Sequence, residues 1–290
     1  MNMQTITIDH NRCTLCMNCT YVCPPQILHR EDGRSDEGRI IIDKSERCVS
    51  CGHCAAVCPA DAIRCHSDNK KNPFIIRSLP DDLPPERSLF YTKRSIRAYK
   101  DQPLEAETVK KLIHYGDLAP SGHNFRQRKY YVVTAPELIN RLEDEVLSVY
   151  KPLTKILNPV LLGLIGVFSK SAKHELSDLK ESFLNLFEER GAGKMPVFRN
   201  APCIICIAAP TKSTSSSEDC TIAQTYMMLA GETMDVGSCI IGYAQYAHKK
   251  LEKLLNVPKD HSIYAVTVFG YPAIEYKKII EYPNKPVIHM

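Results

Sequence analysis

The sequence predicts an α+β protein of two domains, a small cysteine-rich domain followed by a larger domain in which helices flank a mixed sheet. Nine of the thirteen cysteines lie before His66. The rest of the chain alternates helical patterns with short runs rich in β-branched residues. A length of 290 residues is sufficient for two ordinary domains.

Composition excludes several classes of protein. Hydrophobic residues make up 44% of the chain and charged residues 24%, the balance of a globular protein with a core. The net charge of +4 is too small to indicate nucleic-acid binding. The first residues lack the pattern of a secretory signal, and the longest apolar run, Val160 to Phe168, is too short to span a bilayer. We therefore expect a cytoplasmic protein.

Eight of the early cysteines form a repeated motif. The pattern Cys-x2-Cys-x2-Cys-x3-Cys-Pro covers residues 13–24 and recurs 35 positions later over 48–59. In the bacterial two-cluster pattern, three cysteines of each run bind one [4Fe–4S] cluster and the fourth binds the other cluster. The predicted ligand sets are Cys13, Cys16, Cys19 and Cys58 for the first cluster, and Cys48, Cys51, Cys54 and Cys23 for the second.

Zinc is the alternative interpretation of these cysteines. Zinc takes its four ligands in pairs, so a third cysteine after each Cys-x2-Cys would be surplus in both runs. The repeat therefore favours iron–sulfur clusters. Cys65 falls outside the repeat, and we expect an ordinary buried thiol there.

Residues 1–66 resemble a bacterial 2[4Fe–4S] ferredoxin over their whole length. The resemblance implies a pseudo-twofold fold of two hairpins and two short helices around the clusters. Residues 67–87 contain four prolines and little periodicity, which predicts an extended linker. The second domain is then predicted to occupy residues 88–290.

Periodicity predicts the main elements of the second domain. Helices are expected over 103–118, 219–234 and 248–255, and strands over 130–134, 203–208 and 263–269. Cys203 and Cys206 have zinc-like spacing, but residues i and i+3 of a strand face opposite sides, so both are predicted to be core residues.

Two segments near the start of this domain carry binding chemistry. Residues 93–99 (KRSIRAY) place three cations and a hydroxyl close together, a combination that can hold a phosphate. Residues 119–127 (APSGHNFRQ) form a turn-rich loop in which the amides of Asn124 and Gln127 could bind the edge of a heterocycle.

Two further segments follow later in the chain. Residues 237–242 (GSCIIG) are small, and glycine there lets the backbone approach a flat ligand closely. Residues 270–273 (GYPA) leave a predicted strand and are followed by Lys277 and Lys278.

In this order and spacing, the four segments resemble the nitroreductase family of FMN-dependent oxidoreductases. The family's motifs are an R-S-x-R start, an A-P-S-x-x-N loop, an L-G-S-C-like turn and a G-Y-P-A strand end. The resemblance covers roughly residues 89–278. In one departure, the family's usual Q-P-aromatic continuation of the loop is replaced by Arg126-Gln127-Arg128.

The resemblance implies an FMN site to which all four segments contribute. The expected contacts are Lys93, Arg94, Ser95 and Arg97 at the phosphate and ribityl chain, Pro120, Ser121 and Asn124 along the isoalloxazine, Gly237, Ser238 and Cys239 near its reactive face, Lys277 or Lys278 at the phosphate, and Gln127 through its amide. The family forms intertwined homodimers with two flavins at the interface, so a homodimer is expected. No side chain is predicted as an essential acid or base, since FMN N5 and solvent can supply protons.

These features predict an FMN-dependent oxidoreductase that takes electrons through two [4Fe–4S] clusters to FMN and reduces a small acceptor such as a nitroaromatic, a quinone or an activated alkene. No G-x-G-x-x-G motif follows a strand, so a Rossmann domain is not indicated. Reduced ferredoxin is the favoured external donor, with NAD(P)H as the other candidate. The alternative function is an electron-transfer module that relays electrons between protein partners.

Residues 151–195 lie between the recognisable segments. Their front is apolar and their back is amphipathic, which predicts a helical insertion. It would form a lid over the flavin or part of the dimer contact. A helix lying on a membrane surface is the weaker alternative, because the apolar front lacks a clear polar stripe.

Overall fold

The computed structural model describes residues 6–31, 38–65, 74–80 and 82–290; His66 and the first part of the predicted linker lie outside these ranges. The chain divides into two units. The first contains the described residues up to Lys93 together with Ile274–Met290, and the second is Arg94–Ala273. This division differs from the predicted boundaries, because the end of the chain joins the first unit rather than the second.

The first unit is built from short elements. The strands Ile6–Ile8 and Ile63–Cys65 pair antiparallel, and so do Leu28–Glu31 and Arg39–Ile42. Only the second pair joins consecutive strands, whereas the ferredoxin resemblance implies two hairpins; the first pair instead joins the two ends of the segment. Its elements up to Lys93 are β1 (Ile6–Ile8), α1 (Asn18–Val22), β2 (Leu28–Glu31), β3 (Arg39–Ile42), α2 (His53–Ala56), β4 (Ile63–Cys65), β5 (Ile75–Arg77) and α3 (Pro85–Thr92).

The internal duplication is visible in the backbone of this unit. Three pairs of residues 35 positions apart share a left-handed conformation: Leu15 and Ser50, Met17 and Gly52, Gln26 and Asp61. Residues other than glycine adopt this conformation at a cost of roughly 1–2 kcal/mol each. Because the same strain recurs at equivalent places, it belongs to the common shape of the two cysteine loops.

The second unit combines one sheet with helices on both faces. Its elements are α4 (Ala106–Asp117), β6 (Lys129–Val133), α5 (Pro136–Ile156), α6 (Pro159–Phe168), α7 (Lys170–Gly191), β7 (Cys203–Pro210), α8 (Ser216–Glu232), β8 (Gly237–Ile240), α9 (Gly242–Tyr246), α10 (His248–Leu254) and β9 (His261–Gly270). The six helices and strands predicted for this domain from periodicity are all present, with ends shifted by a few residues.

The sheet of the second unit has the strand order β6-β7-β9-β8, and each of these pairs is antiparallel. The parallel component expected of a mixed sheet is limited, among the residues described, to a single bridge between Ser95 and Ser238. There the Ile96 N–H donates to the Ser238 carbonyl oxygen over 3.0 Å. The central pair runs from Cys203 opposite Phe269 to Pro210 opposite His261.

Alternate residues of β7 enter two separate cores. Cys203 packs with α4 and α8 on one face, and Cys206 packs with α5 and α10 on the other. The prediction that these two cysteines face opposite sides is confirmed. Burial raises the pKa of both thiols to about 12, so they are unreactive core residues.

One carboxyl group is fully buried on the face of the sheet that packs against α5 and α10. Glu143 of α5 has an exposure of 0%, and its carboxyl oxygens accept hydrogen bonds from Val197 N–H (2.8 Å) and Phe198 N–H (3.0 Å). Burial raises the pKa of Glu143 to about 7, and the two donors, which favour the charged form, offset only part of this effect. Glu143 thereby ties the segment after α7 to α5.

Residues 151–195 are mostly helical and pack unevenly. In α7, Phe183 and Leu186 are buried in the core. In α6, Val167 is 81% exposed and Phe168 is 90% exposed. No single helix in the described ranges is long and apolar enough to cross a membrane; α5 and α6 meet that test only as a pair bent by 69°.

The end of the chain completes the first unit. β10 (Ile279–Glu281) pairs antiparallel with β5, with Ile280 opposite Ile76. Ile280 also packs with Phe74 and Ala56 in a small buried cluster. This third strand pair covers α2, which the ferredoxin-like segment alone would leave without these contacts.

Glu143 makes the stability of the protein depend on pH. In the unfolded chain a glutamate titrates near 4.5, whereas folded Glu143 keeps its proton until about pH 7. The folded state therefore binds more protons between these values, and the free energy of unfolding falls as pH rises through this window, by about 3 kcal/mol at most. Urea denaturation under anaerobic conditions at several pH values measures this slope. In the control variant Glu143→Gln, the fall in the free energy of unfolding that Glu143 causes over this pH window should be absent. The same pH dependence in the variant and the wild type would contradict the raised pKa of Glu143.

Candidate functional site

The first predicted ligand set surrounds one cavity. Cys13, Cys16, Cys19 and Cys58 line a small cavity of about 20 Å³, together with Ile8, Ile40 and Ile63 among others. Cys19 and Cys58 are buried, while Cys16 is exposed. The chain thus brings three sulfurs of the first run and the fourth sulfur of the second run to the same place.

The second set surrounds a matching cavity. Cys23, Cys48, Cys51 and Cys54 line a small cavity of about 20 Å³. The two spaces differ little in size, as expected of a duplicated fold. In each, the last cysteine of one run crosses to the cavity of the other run.

The chemistry of these thiols fits a cationic cluster. Burial, and then the neighbouring Cys16 and Cys13, raise the pKa of Cys19 to about 12, and burial likewise raises the pKa of Cys23. Thiolates are therefore unfavourable in these cavities unless positive charge accompanies them, which iron ions supply. Across the described ranges, no three His, Cys, Asp or Glu side chains are arranged to hold a single metal ion.

Backbone amides also point at the sulfurs. Ser50 N–H donates to Cys48 Sγ over 3.4 Å, and Ala62 N–H donates to Cys58 Sγ over 3.3 Å. Such bonds stabilise the added negative charge of a reduced cluster. Each cavity therefore has at least one amide donor on a ligand sulfur.

Three of the four segments expected at FMN meet at one end of the second unit's sheet. Gly237 and Ser238 of β8 pair with Gly270 and Phe269 of β9. Ser95 bridges to Ser238. The 93–99 segment then continues along the 270–273 segment, where Lys100 N–H donates to the Tyr271 carbonyl oxygen (2.9 Å).

This end of the sheet leaves one polar atom unsatisfied. Ser238 is fully buried, and its Oγ has no hydrogen-bond partner within the described part of the chain. An unpaired buried hydroxyl costs about 1–3 kcal/mol. A Cβ at Gly237 would lie 2.7 Å from Ile96 Cγ1, so only glycine permits the close contact of the two segments.

The remaining segment, residues 119–127, lies at the first turn of α8. Asp219 Oδ1 accepts a hydrogen bond from Gly122 N–H (2.9 Å), and a Cβ on Gly122 would clash with Ser215. His123 and Asn124 have φ near +50°, an uncommon conformation for residues other than glycine. Asn124 and Gln127, which were expected to bind through buried amides, are exposed in the single chain.

Arg128 holds this loop in place. Its side chain is 1% exposed, and its guanidinium donates to the carbonyl oxygens of Ala119 (2.7 Å), Pro120 (3.2 Å) and Asp219 (3.2 Å). A buried cation satisfied by several carbonyls rigidifies the backbone that it binds. The loop conformation therefore depends on a residue outside the predicted site.

The two groups of segments lie far apart within one chain. Lys129, just after the loop, is opposite Ala208, which is opposite Ile263; Ser238 is opposite Phe269. Because of a bulge, six residues of β9 but five of β7 separate these levels, a distance of roughly 17–20 Å along the strands. The isoalloxazine ring system cannot bridge this distance.

The predicted phosphate ligands fall on both sides of the division between the units. Lys93 ends the first unit, and Arg94, Ser95 and Arg97 begin the second. All four are partly buried. Arg97 Nη1 donates to the Ser95 carbonyl oxygen (3.4 Å).

Lys277 and Lys278 belong to the first unit. Their N–H groups both donate to the Ala56 carbonyl oxygen, over 3.1 and 3.2 Å. Their ammonium groups form ion pairs with Glu275 and Asp61, respectively. In the single chain these lysines fasten the end of the chain to α2, and a role at the flavin phosphate stays a prediction.

Sequence reasoning missed three residues of these sites. Arg128 and Asp219 hold the 119–127 loop, and nothing in their local sequence distinguishes them from surface charges. Cys65 lines the second cluster cavity beside Cys54. Its only signal was that it is the ninth cysteine of a segment whose repeat uses eight.

Comparison with known proteins identifies both parts of the chain. Residues 91–271 match the nitroreductase family, and residues 12–62 match the 4Fe-4S dicluster domain. The chain therefore belongs to the nitroreductase family and carries an N-terminal 4Fe-4S dicluster domain, as the motifs predicted. Family membership makes it an FMN-dependent oxidoreductase by class.

Individual relatives are distant. A protein of Archaeoglobus fulgidus, provisionally named an NADH dehydrogenase/NAD(P)H nitroreductase, is 23% identical over 193 residues, covering 64% of this chain and 85% of its own. The iodotyrosine deiodinase of Thermotoga neapolitana is 22% identical, covering 68% of this chain and 91% of its own. The structure of a Desulfitobacterium hafniense nitroreductase with bound FMN matches with a TM-score of 0.50 at 18% identity, covering 69% of this chain and 93% of its own.

Arg128→Met should destabilise the second unit and loosen the 119–127 loop. The substitution leaves several buried carbonyl oxygens without donors, so we expect a loss of about 2–4 kcal/mol in the free energy of unfolding. Arg126→Met is the matched control, because Arg126 is exposed and its pair with Asp117 should contribute less than about 1 kcal/mol. Denaturation with urea compares the variants. Equal losses would show that Arg128 does not have the special role described.

Proposed function

We propose that the protein is a reductase that receives electrons one at a time from an external donor, through clusters in its first unit, and uses FMN in its second unit to reduce a small acceptor. The proposal is carried by one observation: the same chain has two four-cysteine cavities and brings three of the four nitroreductase segments together at one end of a sheet. When bound, the clusters supply one-electron transfer, and FMN couples it to two-electron reduction.

The residues of the first unit hold the clusters and limit their contact with water. In this proposal Cys13, Cys16, Cys19 and Cys58 bind one cluster, and the other four repeat cysteines bind the second. The strained loops before each short helix turn three sulfurs toward one centre. Isoleucines lining the first cavity keep it apolar, and a drier environment favours electron transfer over side reactions with solvent.

The residues of the second unit would bind FMN in two groups. Arg94, Ser95 and Arg97 offer charge and a hydroxyl for the phosphate and ribityl chain. Gly237, Ser238 and Cys239 of β8, which lies beside this segment, are proposed to lie near the reactive face of the flavin, as the family resemblance implies. Pro120, Ser121, Asn124 and Gln127 form the second group, at the far end of the sheet.

A homodimer explains how both groups reach one flavin. Within one chain they are separated by roughly 17–20 Å of sheet, whereas a twofold axis can place the loop of one copy beside β8 of the other. The faces that such a dimer would cover are available. Ile222 and Tyr226, one turn apart on α8, are 37% and 43% exposed, and Tyr115 on the packed neighbour α4 is 43% exposed.

The acceptor is expected to be small and electron-poor. Nitroaromatics, quinones and activated alkenes share a site that accepts a hydride or two single electrons. The name of the Thermotoga neapolitana relative, a deiodinase acting on iodotyrosine, adds reductive dehalogenation to the reactions worth assaying. Reduced ferredoxin remains the favoured donor and NAD(P)H the second candidate.

Anaerobic purification followed by iron, sulfide and flavin analysis is the first test. About eight irons and one FMN per chain are expected if both sets of cysteines and the flavin site are filled. The holoprotein should then reduce a nitroaromatic or quinone with a chemical one-electron donor and no partner protein. Turnover only in the presence of a protein acceptor would favour the electron-relay alternative, and the absence of flavin would contradict the proposal.

Mixing two inactive variants tests the shared flavin site. Arg97→Ala removes a cation from one group and Asn124→Ala removes an amide from the other, so each homodimer should retain little FMN. Dissociating and reassociating a mixture gives heterodimers with one intact site, and about a quarter of all sites should recover FMN if subunits pair at random. No recovery, with the heterodimer demonstrated by mass, would place both groups within one chain.

A further inference from the structure

A fifth cysteine lines the second cluster cavity. Cys65, the last residue of β4, lies with its Sγ 3.6 Å from Cys54 Sγ. It also borders the cavity formed by Cys23, Cys48 and Cys51. The residue is half-buried in the first unit, opposite Ile6 of β1.

The duplicated half has no equivalent thiol. The offset of 35 residues places Arg30 of β2 where the second half has Cys65, and Arg30 is exposed. The first cavity is bordered there by aliphatic side chains, including Ile40 and Ile63. The two clusters are therefore held in unlike surroundings, although their ligand loops are alike.

The chemistry of the pair follows from which sulfur holds iron. Cys54 belongs to the three-cysteine loop of the repeat, so with a cluster bound its sulfur is a thiolate and can only accept a hydrogen bond. Cys65 lies outside the repeat, and its Sγ is within hydrogen-bond distance of Cys54 Sγ at 3.6 Å, so its S–H can donate to the Cys54 thiolate. Hydrogen bonds to ligand sulfurs stabilise the reduced, more negative cluster and raise its reduction potential.

We propose that Cys65 donates a hydrogen bond to the Cys54 ligand and raises the reduction potential of the second cluster, while the first cluster lacks this contribution. Cys65 is thus a positioning and tuning residue for one of two otherwise similar centres. The inference rests on the proposed function, since it requires the clusters to be bound. It goes further by distinguishing the two clusters and by naming a residue outside the repeat that does so.

Redox titration of full-length variants tests the inference. Wild type, Cys65→Ala and Cys65→Ser are purified anaerobically, checked for equal iron and sulfide content, and titrated with the clusters followed by EPR. In Cys65→Ala the reduction potential of one cluster should fall by about 59 mV, which is a tenfold change in the equilibrium constant for one electron. The reduction potential of the other cluster should stay unchanged. Cys65→Ser, which keeps an O–H donor, should lie closer to wild type.

The matched control is Arg30→Ala, at the equivalent place in the first half, which should leave the second cluster's wave unchanged. Pulsed EPR adds a second readout: an exchangeable proton coupled to a reduced cluster in wild type should be lost in Cys65→Ala. The inference would be overturned if the potentials were unchanged in Cys65→Ala, or if both waves shifted equally. Loss of about four irons in Cys65→Ala would also overturn it, because Cys65 would then be a ligand. Wild type without iron would instead refute the proposed function, and this inference with it.

Discussion

The register between β7 and β9 sets the spacing on which the flavin site depends. Eight paired positions, from Cys203 opposite Phe269 to Pro210 opposite His261, fix the distance between the two ends of the sheet. At one end β8 brings Ser238 against Ser95; at the other, β6 follows the 119–127 loop. Because strands cannot shorten, no side-chain adjustment within a chain brings these ends together. In the proposed homodimer, the need for a second copy would thus come from backbone geometry rather than from any surface residue.

In the first unit the strongest constraint is electrostatic. Eight thiols converge on two small apolar cavities, and burial raises the pKa of the innermost ones. The left-handed residues of the cysteine loops add conformational strain. The strain opposes the fold, the buried thiols stay protonated unless a cation accompanies them, and sulfur–iron bonds would offset the strain when clusters are bound. The metal is therefore part of what stabilises this unit, and the small cluster of Phe74, Ala56 and Ile280 adds only a modest core.

Features that depend on residues close together in the chain could be predicted from the sequence, whereas contacts between distant residues could not. The cysteine spacing predicts the two ligand sets because each loop is local and its repeat is visible. The strands at 203–208 and 263–269 could be found because buried strands have a distinct composition. Arg128 could not be found, since its partners at Ala119, Pro120 and Asp219 become neighbours only in the folded chain. The pairing of β10 with β5 was missed for the same reason: each is a three-residue run with no turn between them to indicate a hairpin.

That last pairing has a consequence for biosynthesis. Arg77 and Glu281, joined by an ion pair across β5 and β10, are 204 residues apart in the chain. At the usual rate of translation the ribosome needs roughly 10–40 s to make the intervening segment. The cysteine loops therefore emerge long before the strand that covers α2, and the whole second unit is synthesised in between. Closure of the first unit must wait until β10 has left the ribosome.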